Sequence, residues 1–258
     1  MTQASIDCDA SDIHPRWVTQ VVPEPVRPYV TLMRLDRPNG AWLGLVASWW
    51  SIALASGGAY AGTWREVKFL ALFAVGAFVM RGAGCVVNDI IDRDFDAQVA
   101  RTQNRPIPSG RITVKQAMVF AVFLCLVGFA VLWQFNAFAI GLGALSLVTM
   151  VVYPYMKRVT YWPQVFLGLA INWGALLGWA AVRGDLGWAP VVLYIGGIFW
   201  TLGWDTIYGH QDKDDDVRLG LKSGALRFGD ATPTWVAAFY AVALALIGVS
   251  GWLAGLSV

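Results

Sequence analysis

The chain has 258 residues, 57% of them hydrophobic and only 14% charged, with 14 Trp and a formal net charge of +2. This is not the composition of a soluble domain, and it puts the molecule in a bilayer. So small a net charge singles out no partner and gives no ground for expecting nucleic acid.

Residues 1–32 carry Asp7, Asp9, Asp12 and Glu24 among Pro and Ser, with no apolar run and few Arg. That pattern fits neither a signal peptide nor a transit peptide, and it predicts a flexible, soluble cytoplasmic tail. Residues 33–258 then form the membrane domain. Crossing about 30 Å of hydrocarbon takes roughly 20 helical residues, and seven stretches approach that length: 41–55, 67–87, 117–133, 137–152, 164–182, 188–204 and 234–255. The first is short. All seven are apolar on every side instead of alternating, which predicts an all-α, multi-spanning transmembrane helix bundle and no β-barrel. Cys8, Cys85 and Cys125 lie far apart with no C-x-x-C spacing, so they read as free thiols and not as a zinc site.

The connecting segments alternate in charge. The tail and the loops after the second, fourth and sixth stretches hold fifteen of the 19 Lys and Arg, whereas the opposite loops hold Arg65, Lys68 and Arg183. By the positive-inside rule the first set is cytoplasmic. Most of the acids share that side.

The second stretch runs out into Asn88, Asp89, Asp92, Asp94 and Asp96. At about 100° per residue, Asn88, Asp92 and Asp96 share one stripe of a helix, with Asp89 close to it. Like charges so placed repel, and a hard cation with oxygen ligands relieves them. Magnesium takes one or two carboxylates and completes its shell with water and substrate phosphates. The sixth stretch repeats the design with Asp205, Tyr208, Asp212 and Asp216. Asp94, Asp214 and Asp215 read as solvated. One such cluster is as readily a solvated loop; two at matching depth point to a diphosphate substrate.

Basic residues follow each cluster: Arg101 and Arg105 after the first, Lys222 after the second. Arg grips phosphate oxygens as a fork and Lys as a point charge. Lys157 and Arg158, beside Tyr153, read equally as headgroup anchors. Arg81 lies two turns deeper than Asn88 on the same face, where a charge needs a partner: either a cluster carboxylate or the carboxylate of an acidic substrate. The aromatic residues mostly read as interfacial belt and packing, with Tyr153 and Tyr208 set apart by their place beside the clusters. His210 receives no role.

Taken in order, Arg34–Gly40, Met80–Asp89 with its Asp series, Arg101–Pro106, Tyr153–Arg158, Asp205–Asp216 and Lys222–Ser223 resemble the UbiA superfamily of intramembrane prenyltransferases, and within it the 4-hydroxybenzoate polyprenyltransferases. The resemblance implies magnesium held by Asn88, Asp92, Asp96, Asp205, Asp212 and Asp216. It implies catalytic roles for Asp92, Asp96, Asp205, Asp212 and Tyr208, diphosphate binding by Arg101, Arg105, Lys157 and Lys222, and acceptor binding by Arg81 and Arg158. The expected reaction moves a polyprenyl group from its diphosphate onto the ring of 4-hydroxybenzoate, a step of ubiquinone biosynthesis, in a bacterial inner membrane with the site facing the cytoplasm. The family usually has nine membrane helices against the seven visible here, so the expectation is a bundle lacking its last two; Ala47 stands where these enzymes often carry Pro. The rivals are the same chemistry on haem, a naphthoate, homogentisate or a glycerol phosphate, and a cation transporter, whose acids would lie nearer the membrane midplane.

Overall fold

The computed structural model describes residues 16–58, 63–100 and 102–256, and the described residues are helical with short connections. In chain order the helices are α1 (Arg16–Val21), α2 (Arg27–Leu32), α3 (Asn39–Ala55), α4 (Trp64–Asp96), α5 (Val114–Leu132), α6 (Ala137–Val152), α7 (Met156–Val159), α8 (Pro163–Ile171), α9 (Trp173–Arg183), α10 (Trp188–Gly209), α11 (Lys213–Leu219), α12 (Gly224–Phe228) and α13 (Thr232–Leu253). Single 3₁₀ turns at Tyr153–Tyr155, His210–Asp212 and Gly229–Ala231 join α6 to α7, α10 to α11 and α12 to α13.

Among the described residues six stretches are long and apolar enough to cross a membrane: α4, α5, Ala137–Val159, Pro163–Arg183, Trp188–Leu219 and Gly224–Leu253. They coincide with six of the seven expected spans. The seventh is α3, whose 17 residues extend about 26 Å, a little short of the hydrocarbon thickness. Two of the long helices begin with reciprocal caps. Thr63 Oγ1 accepts from the Glu66 amide while Glu66 Oε2 accepts from the Thr63 amide, and Thr113 and Gln116 repeat the exchange. Each pair satisfies two of the amides that a helix start leaves open.

The described residues form two compact units: those within Phe78–Gly128 with those before Gly40, and those within Gly40–Ala77 with those after Gly128. In the first, α2 lies against α4 and α5. A β-carbon on Gly82 would come within 2.9 Å of Met33, and Tyr29 meets Phe120 edge-on at 5.0 Å. Residues 16–32, expected within a flexible tail, therefore hold two short helices, and Thr31 and Leu32 are buried. The apolar face of Arg27–Leu32 has a surface to cover, which orders it. Residues 1–15 of that expected tail, with Cys8, lie outside the described residues.

In the second unit small residues let helices approach closely, as membrane packing favours. Gly196 of α10 lies against Ala243, Leu246 and Ile247 of α13, and Gly178 of α9 against the Ser48 carbonyl of α3. Asn172 breaks the fourth long stretch between α8 and α9. Its Nδ2 donates to the Gly168 carbonyl at 2.9 Å and to Thr201 Oγ1 of α10 at 2.8 Å. Ser51 on α3 donates to the Ala175 carbonyl. A helix break in an apolar medium persists only where such partners answer its polar groups.

Candidate active site

The last turns of α4 carry the first acidic series, and the structure divides it. Asn88 donates through Nδ2 to Asp92 Oδ2 at 3.3 Å, as the one-turn spacing predicts. Asp89 is buried and takes arginine partners. Its carboxylate, 1% exposed, accepts from Arg34 Nη2 at 2.9 and 3.1 Å and lies 3.5 Å from Arg105 Nη1. The same Arg105 nitrogen donates to Asp96 Oδ2 at 2.8 Å. Part of the repulsion that the sequence assigns to a metal is thus already met by two guanidinium groups, as buried carboxylates require.

The loop after α4 is folded tightly enough to aim Arg105. Thr102, itself buried, donates from Oγ1 to the Asp96 carbonyl at 2.8 Å, and the Arg105 amide donates back to Thr102 at 2.9 Å. The Ile112 amide closes on the Pro106 carbonyl, while Pro106, Ile107 and Ile112 are buried beneath. Arg101 lies outside the described residues. Asp94 is exposed beside Arg93, in line with its solvated reading. Arg81 and Asp92 are half-buried.

In the second unit the acidic series does not ride on one continuous helix. α10 ends at Gly209, the 3₁₀ turn His210–Asp212 intervenes, and α11 starts at Lys213. Two local preferences account for the break. Glycine is a poor helix former, and Asp214, Asp215 and Asp216 sit in the first turn of α11, where a helix dipole favours acids. Asp205 therefore belongs to the last turns of α10, and Asp216 to a separate short helix. Asp216 accepts from Ser223 and feels the Lys157 ammonium, with Asp212 and Asp215 as repelling neighbours. Tyr208 is 48% exposed near the end of α10.

The two basic segments of this unit are joined by backbone. The Lys222 amide donates to the Lys157 carbonyl at 2.9 Å, and Lys222 Nζ to the Val159 carbonyl at 3.0 Å, with the Tyr161 ring 5.5 Å away. Ser223 caps α12 through the Leu226 amide at 3.4 Å. Arg158 is exposed and stacks over Tyr155 at 5.9 Å.

Three contributors carry no assigned role in the sequence reading of the site. Arg34 and Ser223 were legible as motif residues but not as partners of Asp89 and Asp216. His210 has a partner: Thr232 Oγ1 gives its proton to the Gly229 carbonyl at 2.7 Å, so the 2.9 Å contact must be donated by His210 Nε2. It ties the 3₁₀ turn at Asp212 to the start of α13.

Among the described residues no three His, Cys, Asp or Glu side chains converge into a ready metal cage. Magnesium does not need one, since it uses one or two carboxylates and leaves positions for water and phosphate. Asn88 Oδ1 is buried without a hydrogen-bond partner, next to the Asp92 carboxylate. An all-oxygen set of this kind fits a hard cation.

Comparison with known proteins gives a consistent result. The profile of the UbiA prenyltransferase family matches residues 44–258. The mitochondrial 4-hydroxybenzoate polyprenyltransferase of Arabidopsis thaliana is 49% identical over 241 residues, 93% of this chain and 58% of that protein. This chain thus spans little more than half the length of that curated relative. The apo structure of a UbiA homologue from Aeropyrum pernix K1 superposes with a TM-score of 0.71 at 26% identity, covering 86% of this chain and 82% of its own. A UbiA homologue from Archaeoglobus fulgidus, solved with GPP and Mg2+, gives 0.65 at 17% identity over 86% and 77%, a likeness of fold.

Proposed function

This chain belongs to the UbiA prenyltransferase family, and from that premise we propose that it transfers a polyprenyl group from polyprenyl diphosphate to the ring of 4-hydroxybenzoate, releasing diphosphate. The observation that carries the reading is the 49% identity, along 93% of the chain, to a protein named for that reaction. The oxygen-rich cluster at Asn88 and Asp92, with Arg105 set beside Asp96, supports it in the chemistry.

In this reading Asn88, Asp92 and Asp96 would hold magnesium in the first unit, and Asp205, Asp212 and Asp216 would do so in the second. The Archaeoglobus homologue was solved with Mg2+ and GPP, which supports both the metal and an allylic diphosphate donor. Magnesium, when bound, supplies charge neutralisation for the leaving diphosphate. Arg101, Arg105, Lys157 and Lys222 grip phosphate oxygens and stabilise the charge that grows as the allylic carbon–oxygen bond breaks. Tyr208 offers its π face to the allylic cation. Arg81 and Arg158 take the acceptor carboxylate and orient the ring. The ring carbon beside the phenolic hydroxyl then forms the new carbon–carbon bond, and its proton passes to a cluster carboxylate or to the released diphosphate. The surrounding apolar helices exclude the water that would convert the donor to free polyprenol.

The chain is an integral, multi-pass membrane protein. The charge bias supports clusters facing the positive, cytoplasmic side. The Arabidopsis relative is mitochondrial, so the bacterial inner membrane expected from the sequence gains nothing from it.

The test is product analysis of membranes holding this chain, supplied with labelled polyprenyl diphosphate and competing acceptors. The reading predicts prenylated 4-hydroxybenzoate as the main product. A product formed on a naphthoate, homogentisate or haem in preference would move the chain to another branch of the same chemistry, and cation flux without donor would end the reading.

A further inference from the structure

We propose that Arg34 is a positioning residue for the first acidic cluster, acting through Asp89 on Arg105; the inference rests on the prenyl-transfer reading above.

The first observation is in the backbone. The end of α2 is closed by a pair of hydrogen bonds, from the Arg34 amide to the Thr31 carbonyl at 3.1 Å and from the Leu35 amide to the Val30 carbonyl at 3.1 Å. This is the Schellman arrangement, whose left-handed position is usually glycine because a β-carbon is strained there. Arg34 occupies it with φ 58°, the one non-glycine residue with positive φ among the described residues. The backbone argues for glycine; the reason for an arginine must lie in its side chain, and strain held in place is a pointer to function.

The second observation is what that side chain does. Nη1 donates to the Thr31 carbonyl at 3.1 Å, which fixes the guanidinium against its own turn, and Nη2 bonds both oxygens of Asp89. Asp89 Oδ1 in turn faces Arg105 Nη1, which holds Asp96. The four side chains alternate in sign and sum to zero formal charge. Without Arg34, the buried Asp89 carboxylate is left to Arg105 and draws it away from Asp96, because an uncompensated buried charge recruits the nearest countercharge. Arg105 would then leave the place from which it meets a diphosphate, and Asp96 would lose its partner.

A purely structural role and a positioning role differ in readout. The experiment uses the full chain in detergent micelles and measures binding of inorganic diphosphate with magnesium by calorimetry, alongside melting by Trp fluorescence. Arg34→Gly suits the backbone and removes the guanidinium, Arg34→Lys keeps a charge but not the fork, and Asp89→Asn removes the linking charge. Loss of an outer-shell partner weakens a site by roughly 10–100-fold. Arg34→Gly should weaken magnesium diphosphate binding by about 10-fold or more, with Arg34→Lys in between, whereas Asp89→Asn, which removes the carboxylate that draws Arg105 away, should stay close to wild type. The double variant should bind like Asp89→Asn, regaining most of what Arg34→Gly loses. Wild-type binding in Arg34→Gly, or losses that persist in the double variant, would overturn the inference while leaving the prenyl-transfer reading intact. If the wild-type chain binds no magnesium diphosphate, both fall. Should Arg34→Gly not fold, Arg34→Lys alone and combined with Asp89→Asn makes the same comparison, and normal binding in Arg34→Lys counts against Arg34.

Discussion

Asn88 shows how much chemistry rests on single side chains in this protein. Its amide donates to Asp92 and keeps a buried oxygen without a hydrogen-bond partner, so in the proposed reading it both orients a carboxylate and offers a ligand of its own. Asn88→Ala is expected to raise the magnesium concentration for half-maximal transfer by roughly 10–100-fold, the range seen when partners of metal ligands are removed. A magnesium titration of the transfer rate measures it. Asp94 is the matching control. It is exposed beside Arg93, and Asp94→Asn should leave the rate within about twofold, as surface substitutions generally do. At this scale the residue types were legible from spacing, but their partners were not. Helical phase put Asp89 near Asp92 and Asp96, and Asp89 does share Arg105 with Asp96. What the phase does not show is its pairing with Arg34, 55 positions away in sequence, and no local pattern encodes such a pairing.

Elements were more legible than contacts. Six of the seven expected spans are helices of membrane length, because continuous apolar runs leave no alternative in lipid. The misses are short-range. The break after Gly209 interrupts the second acidic series, and its causes, a glycine and three acids seeking a helix start, were present in the sequence but outweighed by the apparent continuity of the stripe. Close packing of the helices was invisible until glycines could be matched across them. A β-carbon on Gly178 would lie 2.6 Å from the Ser48 carbonyl oxygen, and since that atom is backbone, α3 or α9 must shift. Gly178→Ala should therefore destabilise the detergent-solubilised protein by about 1–3 kcal/mol, the usual cost of overpacking, measured by Trp fluorescence during denaturation. A neutral or stabilising effect would mean that the α3–α9 contact is looser than described.

At the scale of the whole chain, exposed apolar side chains on the long helices suit contact with lipid. Val119, Leu126 and Leu244 are exposed by more than half, and the exposed Trp64, Trp133, Trp188 and Trp252 lie at or next to the ends of α4, α5, α10 and α13. By chain order these ends fall on the side away from the acidic residues, where an aromatic belt belongs. In a background with Cys8, Cys85 and Cys125 replaced by Ser, single cysteines at Asp185 and Asp230, both exposed, should react with an impermeant maleimide from opposite sides of sealed vesicles. Labelling of both from one side would refute the crossing order. The central claim is that the two acidic clusters serve one magnesium-dependent prenyl transfer, and a single assay tests it most directly. Membranes with the wild-type chain, Asp92→Ala or Asp212→Ala are given labelled polyprenyl diphosphate and 4-hydroxybenzoate, with magnesium or with chelator. The account predicts prenylated 4-hydroxybenzoate from the wild type with magnesium, a loss of about 100-fold or more in each variant, and none with chelator. Product that persists under chelation, or undiminished transfer in either variant, would contradict it.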